Sequence, residues 1–111
     1  MLEPRLKLWV EHRGKAVLGD GRVDLLRAVG ETGSLTEAAL RMGLSYRRAW
    51  GKIRDMERNL GAQLVQSEKG GNTRGSSRLT PRAEALVAQF DRFRKRMEND
   101  LGKEFKEVFN A

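Results

Sequence analysis

The chain opens with an alternation of apolar and polar side chains. Leu6, Leu8 and Val10 occupy every second position, which is the period of a strand that buries one face. An Arg-Gly dipeptide then supplies a turn, and a short apolar run follows it. The pattern predicts a β-hairpin over residues 5–18.

From residue 20 the apolar spacing changes to three and four residues, which is typical of helices. Asp20 is expected to cap a first helix that ends at Gly33. The tetrapeptide that begins at Ser34 matches the capping box, in which the Ser hydroxyl accepts an amide hydrogen bond and the Glu side chain returns one. Gly43 ends this short second helix, and Ser45 caps the next. This order of elements is the helix-turn-helix arrangement.

The third helix is predicted to run from Tyr46 to Leu60 and to stop at Gly61. Its buried arc, at 100° per residue, consists of Tyr46, Ala49, Ile53, Met56 and Leu60. Trp50 lies at the edge of that arc and is expected to be partly buried. Arg48 points to the opposite side, so the helix has a basic outer face.

A two-stranded wing is predicted over residues 64–79, because a strand pattern surrounds the Gly/Ser-rich loop KGGNTRGSS. The last helix is predicted over residues 80–110, with Thr80 as its cap and Pro at the first helical position. Its apolar positions continue to Val108, further than the domain needs for its own core. Gly102 predicts a kink or an end within it.

The chain of 111 residues is expected to form a single domain over residues 1–111. Its fold class is predicted to be mainly α with small β elements. The architecture is a winged helix-turn-helix with an N-terminal β-hairpin and a long C-terminal dimerisation helix. Its parts are the hairpin (5–18), the three-helix core (20–60), the wing (64–79) and the C-terminal helix (80–110).

Charge is distributed unevenly along the chain. The net charge is +7 and the isoelectric point is near 10.4. Residues 41–78 carry nine basic and three acidic side chains, whereas residues 1–40 are balanced and residues 79–111 carry +1. Because the excess is concentrated around the predicted third helix and wing, it indicates a polyanionic partner.

The composition does not indicate an enzyme. There is no Cys, so disulfides and thiolate chemistry are excluded. The single histidine, His12, lies at the hairpin end, and GGNTRG lacks the Lys-Ser/Thr ending of a phosphate loop. We expect no catalytic residue, no metal and no cofactor. The N-terminus has no signal-peptide pattern and no apolar run could cross a membrane, so a cytoplasmic location is expected.

The segment SLTEAALRMGLSYRRAWGKIRDMERNLGAQLV, followed by GG and LT, resembles the N-terminal DNA-binding domain of the ModE family of molybdate-responsive transcriptional regulators. The S-Y-x-x-A-W opening of the third helix carries most of the resemblance. The broader LysR-type helix-turn-helix is also similar, although its third helix typically opens differently. Family members sense molybdate in additional C-terminal domains. Such a domain is absent from this chain, so direct molybdate binding is not carried over.

Contacts with double-stranded DNA are expected mainly from the third helix. Arg47 and Arg48 lie in its first turns, where an arginine fork suits guanine or phosphate. The other reading of these arginines is a solvated face. Tyr46 is either core or a phosphate contact, and Gly51 either admits the DNA backbone or is incidental. The full predicted set is Ser34, Thr36, Ser45, Tyr46, Arg47, Arg48, Gly51, Lys52, Lys69, Asn72, Thr73 and Arg74.

The apolar stripe of the last helix is expected to be core in its first half. Beyond Met97 little of the domain is left to cover it, so a symmetric dimer seam is the economical interpretation. The predicted homodimer residues are Phe90, Phe93, Met97, Leu101, Phe105 and Val108.

The resulting hypothesis is a regulator that binds a palindromic operator as a homodimer, with molybdenum-related genes implied by the resemblance. Two other interpretations stay open. One is a sequence-independent architectural DNA-binding protein. The other is an interaction module for a separate ligand-sensing protein, with the apolar tail as its docking face.

Overall fold

A computed structural model of the chain describes residues 1–68 and 76–109. These residues form two small antiparallel sheets and four helices. In chain order the elements are β1 (Trp9–His12), β2 (Lys15–Gly19), α1 (Asp20–Thr32), α2 (Leu35–Arg41), α3 (Tyr46–Leu60), β3 (Val65–Glu68), β4 (Ser76–Leu79) and α4 (Pro81–Phe109). The predicted fold class, mainly α with small β elements, is confirmed.

The N-terminal hairpin is shorter than its sequence pattern. Arg13 and Gly14 both have positive φ, 53° and 79°, as a tight two-residue hairpin turn requires. Pairing begins at Trp9, which lies opposite Gly19. The predicted start at residue 5 is wrong because the partner strand ends at Gly19 and a helix begins at once, so residues 5–8 have no strand to pair with.

α1 starts one residue earlier than expected. Gly19 is its cap residue and provides no side-chain hydrogen bond, so Asp20 is the first helical residue and not the cap. The Asp20 carboxylate lies 3.1 Å from Arg94 of α4 and places a negative charge in the first turn, where the helix dipole favours it. Gly33 ends α1 in the left-handed conformation, with φ 69°, as predicted.

The helix-turn-helix is closed by local hydrogen bonds. The Ser34 hydroxyl accepts from the amide of Glu37 at 3.2 Å, which is half of the predicted capping box. The other half differs, because the Ser34 amide donates to the Thr32 hydroxyl at 3.2 Å. At the far end of α2 the Leu44 amide donates to the Ala39 carbonyl at 2.8 Å. Together with φ 69° at the intervening glycine, this bond forms a Schellman turn.

Two clusters of buried side chains form the core. The larger one joins the apolar faces of α1, α2 and α3 to Leu64, Val65 and Ala83. The smaller one consists of Val17, Leu18, Val23 and Phe90, and it fixes the hairpin to α1 and to the first part of α4. α4 is also held to α1 by Arg27, which donates to both Asp24 and Asp91. The hydrogen bond with Asp91 raises the pKa of the Arg27 guanidinium above its ordinary value.

α4 projects away from this core. Thr80 caps it by accepting from the Ala83 amide at 3.1 Å, and Pro81 is its first residue, as predicted. The helix continues through Gly102, so the expected end at that residue is wrong, and its 29 residues span about 43 Å. The radius of gyration of 16.7 Å exceeds the ~13 Å typical of a globular domain of this length. None of the helices in the described ranges is long and apolar enough to cross a membrane.

Candidate nucleic-acid interface

The N-terminus of α3 presents two exposed arginines. The Ser45 hydroxyl accepts from the Arg48 amide at 3.1 Å and fixes the first turn. Arg47 and Arg48 are both exposed, and neither side chain forms an ion pair with residues 1–68 or 76–109. Because a nearby carboxylate would neutralise them, this arrangement leaves two guanidinium groups free for an external anion.

The acidic side chains of α3 are already engaged. Asp55 lies 3.0 Å from Arg22 of α1 and 3.4 Å from Arg58. The Glu57 carboxylate accepts from the backbone amides of Leu64 and Val65, at 2.8 and 3.2 Å. The outer face of α3 is therefore more positive than its residue count suggests. Of these partners, only Arg22 comes from a distant part of the chain, 33 residues from Asp55, and no sequence pattern indicated it.

The apolar face of α3 is packed against the core of the domain. Ala49, Ile53 and Met56 are each 0% exposed and pack into the larger core cluster. Tyr46, by contrast, is 54% exposed, so its predicted place in the buried arc is wrong. The packed part of the helix begins at Ala49, and the first turn extends beyond the core. The Tyr46 ring consequently lies on the same exposed turn as the arginines.

The middle of α3 combines an open glycine with two partly buried side chains. Gly51 is exposed, and a Cβ built on it would meet no atom within 4 Å. Trp50 is half-buried, as predicted, and the Arg54 guanidinium lies 5.0 Å from its ring centroid, within cation–π range. Lys52 is half-buried on the side of the helix that faces the N-terminal hairpin.

The remaining predicted DNA contacts divide into two groups. Ser34 is half-buried with its hydroxyl used in the cap, whereas Thr36 is exposed in the first turn of α2. The wing strands pair from Val65 opposite Leu79 to Glu68 opposite Ser76, which leads the chain into the wing tip. Four predicted wing-tip contacts lie outside the described residues, namely Lys69, Asn72, Thr73 and Arg74.

α4 carries a second candidate surface. Phe93 is 42% exposed and Val108 is 72% exposed, while Met97, Leu101 and Phe105 are half-buried. Phe109 is 57% exposed, lies 4.7 Å from Phe105 between ring centroids, and was not in the predicted set.

Phe90 does not belong to this surface. Its side chain is 2% exposed because it packs against Val17, Leu18 and Val23 of the same chain. The prediction that it lies in a dimer seam is wrong for that reason.

The described residues contain no group of three His, Asp or Glu side chains that could hold a metal ion. His12 has a structural partner, since its Nδ1 lies 3.0 Å from the Asn59 carbonyl oxygen at the end of α3.

Comparisons with known proteins agree with this geometry. Residues 22–84 match the model of the bacterial regulatory helix-turn-helix proteins of the lysR family. The molybdenum-pterin-binding protein MopB of Rhodobacter capsulatus is 42% identical over 81 residues, which is 73% of this chain and 30% of MopB. The transcriptional regulator ModE of Yersinia pestis is 36% identical over 70 residues, which is 63% of this chain and 27% of that protein. These similarities confirm the predicted resemblance, and neither relative is named as an enzyme, in agreement with the sequence.

The fold has a counterpart among solved structures. The crystal structure of the CbnR DBD–DNA complex aligns with a TM-score of 0.59 at 20% identity, covering 78% of this chain and 93% of that one. The similarity supports the winged helix-turn-helix architecture. This chain spans about 30% of the length of the curated relatives described above.

Proposed function

The chain belongs to the lysR family of bacterial regulatory helix-turn-helix proteins, and we propose that it is a DNA-binding transcriptional regulator of the ModE type that acts as a homodimer. One observation carries the proposal. Arg47 and Arg48 are exposed and form no ion pair with residues 1–68 or 76–109, and they lie on a capped helix whose opposite face is buried at Ala49, Ile53 and Met56. A helix with this combination is suited to insertion into the major groove, where its first turns contact base edges.

The other predicted contacts surround that helix. Lys52 and the exposed hydroxyl of Tyr46 are suited to phosphates on either side of the groove, because one lies toward the hairpin and the other on the exposed first turn. Thr36 at the start of α2 adds a further polar side chain. The wing, including Lys69 and Arg74, is proposed to follow the flanking backbone. Such contacts fix the orientation of the protein but carry no sequence information.

We propose that the second half of α4 forms the homodimer seam. Phe93, Met97, Leu101, Phe105 and Val108 repeat along a helix that extends beyond the domain core. Two-fold pairing of this surface buries it and places two copies of α3 on one side of the dimer. The operator is then expected to be a palindrome whose half-sites lie about one helical turn, or a multiple of it, apart.

The genes under control are proposed to be related to molybdenum, because the similar proteins are named as molybdenum-pterin-binding proteins and ModE regulators. We place the protein in the cytoplasm, where bacterial DNA is found. The predicted DNA-binding and dimer residues all belong to one domain that matches less than a third of those relatives. An effector response is therefore assigned to no residue of this chain.

Selection of bound sequences from random duplexes, with and without molybdate, tests the proposal. A strong palindromic consensus is expected from the wild-type chain. The double variant Arg47→Ala, Arg48→Ala should lose it, while Arg92→Ala on the exposed side of α4 should retain it. Binding without any consensus would instead indicate the architectural protein, since a regulator should prefer its site by ~10³ or more.

The exposed apolar tail favours a second candidate. Phe93, Val108 and Phe109 are all exposed in the single chain. If the chain proves monomeric in solution, this surface is better explained as the docking face of an interaction module whose partner senses the ligand.

A further inference from the structure

An open groove of about 640 Å³ separates the N-terminal hairpin from the helix-turn-helix. Its apolar lining includes Leu8, Leu18, Met42 and Leu44, so it lies directly against the turn that leads into α3. The matched family segment begins at residue 22, and the hairpin therefore lies outside it. Nothing in the function proposed above gives the hairpin a role in binding.

Two lysines line this groove. Lys7 lines it from the segment before β1, and Lys52 lines it from α3. Within the described part of the chain neither ammonium group has an ion-pair partner. Lys52 follows Arg48 by four residues, so the two side chains lie one turn apart on the same flank of α3.

The other charges in the groove are satisfied within the protein. Asp20 lies 3.1 Å from Arg94 of α4. Arg22 donates to the Ala16 carbonyl at 3.1 Å and to Asp55 at 3.0 Å. The groove consequently has two free positive charges, from its lysines, and no free negative charge among its described lining residues.

Trp9 lines the groove, and a hydrogen bond orients its ring. Its indole N–H donates to the Glu11 carboxylate at 2.8 Å, yet the side chain is 52% exposed. An exposed aromatic ring in the same groove as two lysines presents an apolar surface near two cationic groups. A sugar–phosphate backbone has the complementary form, with charged phosphates joined by less polar sugars.

We propose that this groove receives the DNA backbone that borders the major groove occupied by α3, with Lys7 and Lys52 on the phosphates and Trp9 against a sugar. The inference rests on the proposed function and extends the interface to the hairpin. A DNA strand that follows the Arg48 and Lys52 flank of α3 passes directly over this groove. The hairpin is thereby a second wing, on the side of α3 opposite the first.

Salt titrations of DNA affinity test the contact. Lys7→Ala and Lys52→Ala are compared with Lys15→Ala, which makes the same charge change near the turn of the hairpin. The labelled duplexes are the selected sequence and a mixed sequence of about 30 base pairs, or three helical turns. Lys7→Ala should weaken binding about two- to fivefold per subunit and reduce the salt slope by about 0.9 for each lost phosphate contact, which is about 1.8 for the two subunits of the proposed dimer. Lys15→Ala should match the wild type.

The outcomes separate the two proposals. Wild-type binding by Lys7→Ala, with weakened binding by Lys52→Ala and by Arg48→Ala, overturns the hairpin contact and leaves the proposed function intact. Wild-type binding by all three variants rejects α3 as the DNA-reading helix, and with it both proposals.

Tryptophan accessibility supplies an independent readout. In the Trp50→Phe variant Trp9 is the only emitting indole, because the chain has two tryptophans. Addition of the same duplex should reduce quenching of Trp9 by acrylamide. Unchanged quenching at saturating duplex would show that DNA does not cover the groove, and it would contradict the inference. The groove would then be left available to a small molecule or to a second copy of the chain.

Discussion

α3 and α4 are both amphipathic helices with apolar side chains at intervals of three and four, yet their apolar stripes have different surroundings. In α3, Ala49, Ile53 and Met56 are completely buried by the rest of the chain. In α4 the last fully buried side chain is Phe90, Met97, Leu101 and Phe105 are half-buried, and the exposed fraction reaches 72% at Val108. The same sequence periodicity therefore corresponds to a finished core in one helix and to an open surface in the other.

Because of this difference in burial, we expect the two helices to have different roles. α3 is positioned by its own domain, so its outer face can act on a partner without changing the fold. α4 beyond Phe90 leaves much of its apolar stripe exposed, and burial of one Leu or Phe by the proposed partner would contribute about 1.5–3 kcal/mol. Variants in each helix should consequently affect different measurements.

The largest effect on the free energy of unfolding is expected from Ile53→Ala. It removes a fully buried side chain and leaves a cavity, which costs about 2–5 kcal/mol. Val108→Ala on α4 is the matched change at an exposed position and should cost at most about 0.5 kcal/mol in the monomer. Urea unfolding at dilutions where the monomer prevails measures both. Equal losses would remove the distinction between the two stripes.

Truncation after Met97 should have its main effect on assembly. It deletes Leu101, Phe105 and Val108 from the proposed seam, and loss of even one such buried side chain corresponds to about tenfold or more in the dimer dissociation constant. The core keeps Phe90, so unfolding of the monomer should change little. Sedimentation equilibrium is the measurement, with Lys103→Ala as the full-length control. An unchanged mass distribution would rule out the seam in this part of α4.

Arg48→Ala should separate binding from stability. If Arg48 contacts a base, affinity for the selected duplex falls by about 1–3 kcal/mol, and the unfolding free energy stays within about 0.5 kcal/mol of wild type. Fluorescence anisotropy with selected and mixed duplexes measures the loss, and Arg92→Ala on α4 is the charge-matched control. An equal loss on both duplexes would make Arg48 a phosphate contact.

The smallest effects are expected at the helical glycines, Gly51 of α3 and Gly102 of α4. An added Cβ meets no atom within 4 Å at either position. Each Gly→Ala change should therefore stabilise the fold by up to about 1 kcal/mol. Only Gly51→Ala should weaken DNA binding, because it adds a methyl group on the face of α3 that is proposed to enter the major groove of DNA. If both variants bind equally, close backbone approach at Gly51 is excluded.

Local features were predictable where the interacting groups are close in sequence. The caps at Ser34 and Ser45, the stop at Gly43 and the bounds of α3 all depend on neighbours within a few residues. The predicted exposure of the arginine pair also depended on helix phase alone. Phase did not reveal that α3 packs only from Ala49 onward, and this is why the position of Tyr46 was misjudged.

The electrostatics of the site could not be predicted in the same way. Asp55 is neutralised by Arg22, which is 33 residues away in the sequence. Glu57 is held by amides at the start of the wing. Arg22 comes within reach of Asp55 only when α1 packs against α3, and the amides reach Glu57 only when the chain turns back after α3. The charge count of residues 41–78 predicted a basic surface, but not which charges remain free on it.

By itself, the sequence determined the helices, the caps at Ser34, Ser45 and Thr80, the basic outer face of α3 and the family resemblance, because these follow from short-range hydrogen bonding and periodicity. The tertiary structure alone decided that Phe90 is core, that Tyr46 is exposed and that the hairpin forms a groove with α3. Those properties depend on which surfaces meet. Burial depends on packing between segments that are distant in the sequence, so a local sequence pattern cannot predict it.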